Sequence, residues 1–189
     1  MLIDDIIKYE AVNEVELLDK QIMLDILEKE PNSLSRDNLI NHFTVSSYIV
    51  NSTFDKVLFC YHKIYDSYSW LGGHLDGNSD SRYVCLKEVY EESGIKDAKI
   101  ILDGLVSLEV LNVNGHYKKN KYVNNHLHLN VTYLVVANEV DKLTINEEEN
   151  SDLKWININD LENEVKEKWM YENIYKKINN KIEKLRACN

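Results

Sequence analysis

Gly73-His74-Leu75-Asp76-Gly77-Asn78-Ser79-Asp80-Ser81-Arg82-Tyr83-Val84-Cys85-Leu86-Lys87-Glu88-Val89-Tyr90-Glu91-Glu92-Ser93-Gly94-Ile95 is the stretch that decides how this chain is read. A glycine turn opens it, and a polar run from Asp76 to Asp80 leads into a helix expected from about Ser81 to Ser93. Gly94 follows, where helices commonly end in the left-handed conformation that glycine adopts freely. Within the helix, Glu88, Glu91 and Glu92 are spaced i, i+3, i+4 and fall within about 100° of arc. Tyr83, Leu86 and Tyr90 lie on the opposite side, with Val89 at its edge. The helix is therefore expected to dock through that aromatic and aliphatic side and to present three carboxylates outward. Like charges at this spacing are mildly unfavourable on a helix. Around a divalent cation they make sense. Mg²⁺ is a hard ion that takes carboxylate oxygens, waters and substrate phosphates. There it neutralises phosphate charge, lowers the pKa of bound water and aligns nucleophile with leaving group. A solvated acidic stripe is the bland alternative, and the helix alone favours it; the residues that flank the helix tip the balance.

Outward from this stretch the pattern changes on both sides. Upstream, Phe43, Val45, Ser47 and Ile49 alternate with Thr44, Ser46 and Tyr48, which is strand periodicity. Lys56 to Tyr61 reads as a second strand after the turn Asn51-Ser52-Thr53, the two forming a hairpin. From Ile3 to Glu30 the pattern is helical. Downstream, Ala98 to Leu111 reads as strand and His116 to Asn125 as a polar loop carrying Lys118, Lys119 and Lys121. Leu127 to Val136 is a long strand, and an acidic loop from Asn146 to Asn150 precedes a short strand, Leu153 to Ile156. From Asn159, read as an N-cap, the chain is helical to its end. Trp169, Ile174, Tyr175, Ile178 and Ile182 share one broad face of that tail. The order predicts an α/β protein, a mixed sheet with helices on its faces. Residues 1–40 read as a helical extension and 41–189 as the main domain including the C-terminal helices.

Composition narrows the function. The 189 residues carry 22 basic and 32 acidic side chains, a formal charge of −10. Such a chain lacks the basic footprint that duplex nucleic acid requires. It also repels phosphorylated ligands at long range, so a site for one needs a local counter-charge such as a bound metal. Cys60, Cys85 and Cys188 are odd in number and widely spaced, which argues against a disulfide framework and a zinc site and for a reducing, cytoplasmic setting. No apolar run approaches membrane-spanning length, and Met1-Leu2-Ile3-Asp4-Asp5 does not read as a signal peptide.

Gly73 followed by Lys87-Glu88-Val89-Tyr90-Glu91-Glu92-Ser93-Gly94-Ile95 resembles the Nudix box. That box runs glycine, five residues, glutamate, seven residues, then Arg-Glu-aliphatic-x-Glu-Glu-x-Gly-aliphatic. The spacing from Gly73 to Ile95 matches without a gap. Two positions depart: Ser79 stands for the first glutamate and Lys87 for the arginine. In the family these two support the catalytic glutamates. Asp76 or Asp80 is the nearest replacement for the acid, while Lys87 keeps the charge but lacks the planar fork of arginine. The resemblance covers roughly residues 41–161.

The resemblance implies a Nudix-type α/β/α sandwich and a Mg²⁺-dependent pyrophosphohydrolase, with Mn²⁺ as a substitute ion. By motif position, Glu88 and Glu92 are the main metal ligands, Glu91 a further ligand or support, and the main-chain carbonyl of Gly72 completes the sphere. Family members often add an acid from a loop after the last long strand; here that is Glu147, Glu148 or Glu149, with Glu149 favoured. A carboxylate there, or Glu88, helps deprotonate the attacking water. The partner implied is a small phosphoanhydride, a nucleoside diphosphate derivative or a related molecule.

His126 and His128 are i, i+2 on a strand and so share a face. They either meet substrate phosphate or are half-buried polar residues. His74 follows the glycine turn at an expected pocket rim, and His42, opening a strand, reads as structural. The lysines of the 116–125 loop read as solvated. Cys85 reads as a packing residue, and the face through Trp169 and Tyr175 as a docking face or a homodimer contact. Two other functions compete. One is a ligand-binding module without catalysis, supported by Ser79 and Lys87. The other is isoprenoid-diphosphate isomerisation, which is associated with a strand-borne active-site cysteine motif not found here.

Overall fold

Every residue of β1 (Asn41–Val50) is buried, polar and apolar alike. Its alternation therefore does not separate core from solvent; it separates two covered faces. In the computed structural model, which describes residues 1–63, 66–118, 120–145 and 150–188, β1 lies at the centre of the sheet. It pairs in parallel with β9 (His126–Val136) over ten residues, from Asn41 opposite Leu127 to Val50 opposite Val136. The expected hairpin forms between β1 and β2 (Lys56–His62), through Ile49–Leu58 and Val50–Val57. β3 (Ser67–Ser69) pairs with β2, and β4 (Leu71–His74) with β1. β5 (Lys99–Ile100) and β6 (Ser107–Val113) both pair with β9. β7 (His116–Lys118) and β8 (Lys121–Val123) form a separate hairpin. β10 (Asn150–Asn157) closes the β2 side.

Helices cover both faces, as the α/β/α reading requires. Phe43, Val45, Leu129, Val131 and Tyr133 pack beneath α1 (Leu2–Lys8), α2 (Glu14–Lys29) and α3 (Ser81–Ser93). Leu2, Ile6, Tyr9 and Met23 of the N-terminal segment belong to that same core. Tyr48, Val50 and Leu134 face the other way. There they meet Tyr171, Ile174, Tyr175, Ile178 and Ile182 of the C-terminal helices. Each such aliphatic side chain taken from water contributes roughly 1.5–3 kcal/mol. No helix among the described residues is long and apolar enough to cross a membrane.

Four expectations are corrected. The N-terminal helical run is two helices, broken before Asn13, whose side chain caps α2 by accepting from Glu16 N at 2.9 Å. The polar loop at 116–125 is the β7–β8 hairpin, turned at Asn120 with φ 64°. The tail is not one helix from Asn159. Asn157 is the cap, and the chain runs through a 3-10 turn (Ile158–Asp160), α4 (Leu161–Glu164), α5 (Lys168–Met170), a π turn (Tyr171–Tyr175) and α6 (Lys176–Cys188). A π turn wraps more residues per revolution than an α-helix, so residues before it lose register with those after it. Trp169 is accordingly 60% exposed while Ile174, Tyr175, Ile178 and Ile182 are buried.

The fourth concerns α3. Its boundaries are those read from the sequence, with Asp80 as N-cap and Gly94 at φ 76°. Its docking face is not. Tyr83 and Tyr90 are 59% and 51% exposed, and the helix seats itself through Ser81, Val84, Cys85, Val89 and Ser93. Tyrosine tolerates water at its hydroxyl, whereas valine and cysteine gain only by burial. The turn of the helix brings Glu92 inward with them.

Candidate active site

α3 is closed at both ends and tied to α1 near its start. Asp80 accepts from Tyr83 N at 3.1 Å, and Gly94 N closes on Tyr90 O at 2.8 Å. Arg82 forms a two-armed ion pair with buried Asp5 of α1, at 2.9 and 2.8 Å, and Tyr133 OH donates to the same carboxylate at 2.6 Å. Burial opposes the charge on Asp5, but Arg82 and Tyr133 outweigh it and hold its pKa below the usual carboxylate value.

The three glutamates then separate in role. Glu92 is 6% exposed and accepts from Gly72 N at 2.9 Å and from Asn150 Nδ2 at 3.2 Å. Glu88 lies against Gly73 so closely that a Cβ there would stand 2.5 Å from its carboxyl carbon. Gly72 and Gly73, expected as a turn, lie within strand β4 opposite Ser46 and Val45, and this glycine pair is a cradle for two carboxylates. Glu91 is half exposed and takes a 2.7 Å bond from Lys87, whose Nζ also stands 3.5 Å from Glu88. The bond to Glu91 and the charge of Glu88 raise the Lys87 pKa. The expected outward row of three acids is therefore corrected: Glu92 points inward, Glu88 lies against Gly73 of β4, and Glu91 faces solvent. Cys85 is buried below them, and burial with the charge of Glu88 pushes its thiol far up.

These groups line a cavity of about 980 Å³. Its floor is the polar face of the central strands. Thr44 Oγ1 and Ser46 Oγ both donate to Asn130 Oδ1, at 3.0 and 2.9 Å, and Asn130 Nδ2 donates to Thr132 Oγ1 at 3.1 Å. Trp70, Trp169 and Met170 line one end, and His116 and Tyr122 of the β7–β8 hairpin another.

Four histidines meet in the same cavity. His126 and His128 share a face as expected, with Nε2 atoms 3.1 Å apart. The parallel pairing sets His42 directly opposite His128, and β4 brings His74 beside Thr44. Ring centroids of His42 lie 5.0, 4.9 and 5.1 Å from those of His74, His126 and His128. Burial, reinforced by the neighbouring imidazoles, lowers the His128 pKa to about 2, and burial lowers that of His42 as well. His42 had read as a structural strand opener. Only the β1–β9 register, which joins residues 86 apart, reveals its company.

Asp76 lines the cavity but is spoken for by Arg36, through bonds of 2.6 and 2.5 Å that lower its pKa. Asp80 is the α3 cap. Glu147, Glu148 and Glu149 lie outside the described residues. Asn150, just beyond them, had no signal in the sequence, and its contact to Glu92 was missed. Cys60 is strand-borne in β2, but it is buried and its thiol donates to Trp70 O at 3.7 Å.

No family model matches the sequence, and neither does any curated protein. Solved structures do match. A Nudix-family hydrolase of Clostridium perfringens is 26% identical, with 76% of this chain and 97% of that one covered at a TM-score of 0.53. A C. elegans Ap4A hydrolase is 17% identical, covering 78% and 98% at 0.55. The E. coli dihydroneopterin triphosphate pyrophosphohydrolase is 13% identical, covering 75% and 95% at 0.56. The resemblance read from the Gly73–Ile95 motif is borne out in three dimensions, and the fold is that of the Nudix hydrolases.

Proposed function

We propose that this chain, a Nudix fold that carries Glu88, Glu91 and Glu92 of the box, is a Mg²⁺-dependent hydrolase that cleaves a phosphoanhydride bond in a nucleoside diphosphate derivative or related small molecule. The observation that carries the proposal is the meeting of Glu88 and Glu92 at the Gly72–Gly73 pair of β4, on the wall of the 980 Å³ cavity. The donor set, carboxylate oxygens beside the main chain of β4, suits a hard divalent ion.

Glu88 and Glu92 would hold the ion, with the Gly72 carbonyl as the third protein ligand and Glu91 as support. When bound, the ion supplies charge neutralisation at the phosphates and a more acidic water. The chain's own residues do the rest. Gly72 N–H and Asn150 fix the Glu92 carboxylate. The missing Cβ of Gly73 leaves room for the Glu88 carboxylate, and Glu88, or Glu147, Glu148 or Glu149, takes the proton of the attacking water. Lys87 keeps Glu91 and Glu88 oriented from the solvent side. Thr44, Ser46 and Asn130 offer a neutral polar floor to the substrate, His74, His126 and His128 its flank, and Trp70 and Trp169 an aromatic end. Two of the matched structures carry names of phosphoanhydride hydrolases, which supports the substrate class.

The test is phosphate release with Mg²⁺ across nucleoside triphosphates, nucleotide sugars, ADP-ribose, dinucleoside polyphosphates and NADH. Phosphatase is added to expose monoester products, and Glu92→Gln and a chelator serve as controls. Turnover of one class that vanishes in both controls is expected. Silence across the panel with a nucleotide still bound would favour the ligand-binding module instead, whose support is the replacement of the family's glutamate and arginine by Ser79 and Lys87.

A further inference from the structure

The imidazole cluster is built in a way that phosphate contact does not require. One ring nitrogen from each of His42, His74 and His128 lies within 4.8 Å of the others. Four-coordinate zinc, with nitrogen at about 2.0–2.1 Å, sets its ligands about 3.3 Å apart, a distance that small side-chain rotations reach. The rings stand on rigid supports: His42 and His128 are direct partners in the central parallel pair, and His74 ends the strand beside them.

The tautomers point the same way. His42 Nδ1 lies 2.9 Å from Asn38 O, so it carries the proton, and Nε2 is left with its lone pair. That Nε2 is buried without a hydrogen-bond partner, on a residue only 4% exposed. Such an orphan costs about 1–3 kcal/mol, and native structures rarely keep one without a use for it. His126 Nδ1 likewise donates to Asn124 O at 2.8 Å. Its Nε2 therefore accepts from His128 Nε2, 3.1 Å away, which leaves the lone pair of His128 on Nδ1. Ring nitrogens fixed by main-chain carbonyls, with the other nitrogen presented, are the usual outer arrangement of metal-binding histidines. The cluster is all nitrogen, which selects borderline transition metals over Mg²⁺.

We infer that His42, His74 and His128, with His126 behind His128 as a positioning residue, form a second cation site for a borderline transition-metal ion such as Zn²⁺, separate from the carboxylates of α3. The inference does not rest on hydrolysis. A dication there would give the cavity positive charge on the sheet side, in a chain whose formal charge is −10, and would suit an anionic ligand.

The full chain, stripped with a chelator, is titrated with Co²⁺ in excess Mg²⁺, and then with Zn²⁺ in competition. Binding is read by the visible absorption of Co²⁺ and by elemental analysis. One Co²⁺ per chain with nitrogen coordination, displaced by Zn²⁺, is expected. His128→Asn and His74→Ala should each weaken Zn²⁺ at least tenfold, and His126→Ala by about ten- to a hundredfold, while Glu92→Gln leaves it unchanged. His74 is only half buried, so its variant carries the test if His128→Asn fails to fold by circular dichroism. Absence of Co²⁺ in excess Mg²⁺, or binding that survives His74→Ala but not Glu92→Gln, overturns the site.

Discussion

Replacing Gly73 by alanine puts a methyl where the Glu88 carboxyl already sits. The new Cβ would stand 2.5 Å from Cδ, 2.6 Å from Oε2 and 2.8 Å from Oε1. Non-bonded carbons rest about 3.5–4.0 Å apart, so the carboxyl must retreat by about 1 Å. It is the far end of a flexible side chain, 18% exposed and beside an open cavity, so it can swing aside. The fold should lose about 1 kcal/mol or less. A displacement of about 1 Å in a reacting group costs about a hundredfold in rate, or about 2.7 kcal/mol in the barrier. The neighbouring glycine gives the opposite result. A Cβ on Gly72 would overlap the carbonyl oxygen of Val45 and stand 2.9 Å from Ser46 Cα, main-chain atoms of the central strand that cannot swing. Gly72→Ala should cost about 1–3 kcal/mol of stability, the usual range for overpacking. Urea denaturation and Mg²⁺-dependent phosphate release on both variants give the two readings. Full activity in Gly73→Ala, or equal destabilisation of the two variants, would refute the assignment of Glu88 to the reacting centre.

Lys177 of α6 is largely covered between buried Glu16 of α2 and Glu109 of β6, at 2.5 and 2.9 Å. Lys177→Met leaves two acids uncompensated and should cost about 3–5 kcal/mol; a change under about 1 kcal/mol in denaturant would show that the triad is not holding these elements together. Glu91→Gln, which breaks only the half-exposed pair with Lys87, should change turnover far less than Glu92→Gln, because such pairs are worth about 0–1 kcal/mol; equal losses in kcat would make Glu91 a metal ligand after all. The Asp5 pKa is depressed in the fold, so its pairing stabilises fully above about pH 4 and is lost as the pH falls through the depressed value. Asp5→Asn should therefore lower the melting temperature at neutral pH and flatten its acid limb; an acid limb parallel to that of the parent protein would contradict this.

Local chemistry made parts of the molecule legible. The spacing from Asp80 to Gly94 encloses α3 because a side-chain cap and a left-handed glycine act within a few residues of the ends they close. The strand character of β1 and β9 was legible for the same reason. What failed was whatever depends on a distant partner. The helical wheel of α3 offers two apolar sides, and nothing in Tyr83 or Val84 tells which the sheet will cover. Glu92 is buried because Gly72 N–H and Asn150 bring it donors, and Asn150 is 58 residues away. His126 and His128 announced themselves by their spacing, but His42 and His74 join them only through the register of three strands. The π turn that turns Trp169 out to solvent breaks the 3.6-residue period on which the stripe was drawn.

The bonds from α6 back to the N-terminal segment also set an order of events. Lys181 Nζ bonds Tyr9 OH across 172 residues, beside the Lys177–Glu16 pair, and the central strands themselves join residues 86 apart. Contacts this distant are slow to form because the loop must close before they reward it. A chain emerging from the ribosome can pair β1 with β2 early, but Glu16 and Glu109 wait for their lysine until α6 has been made. Synthesis interrupted before α6 would leave two acids and the face of Tyr48 and Leu134 uncovered. Such a chain would be a natural substrate for chaperones and proteases, so α6 serves as a check that the elements made before it have come together.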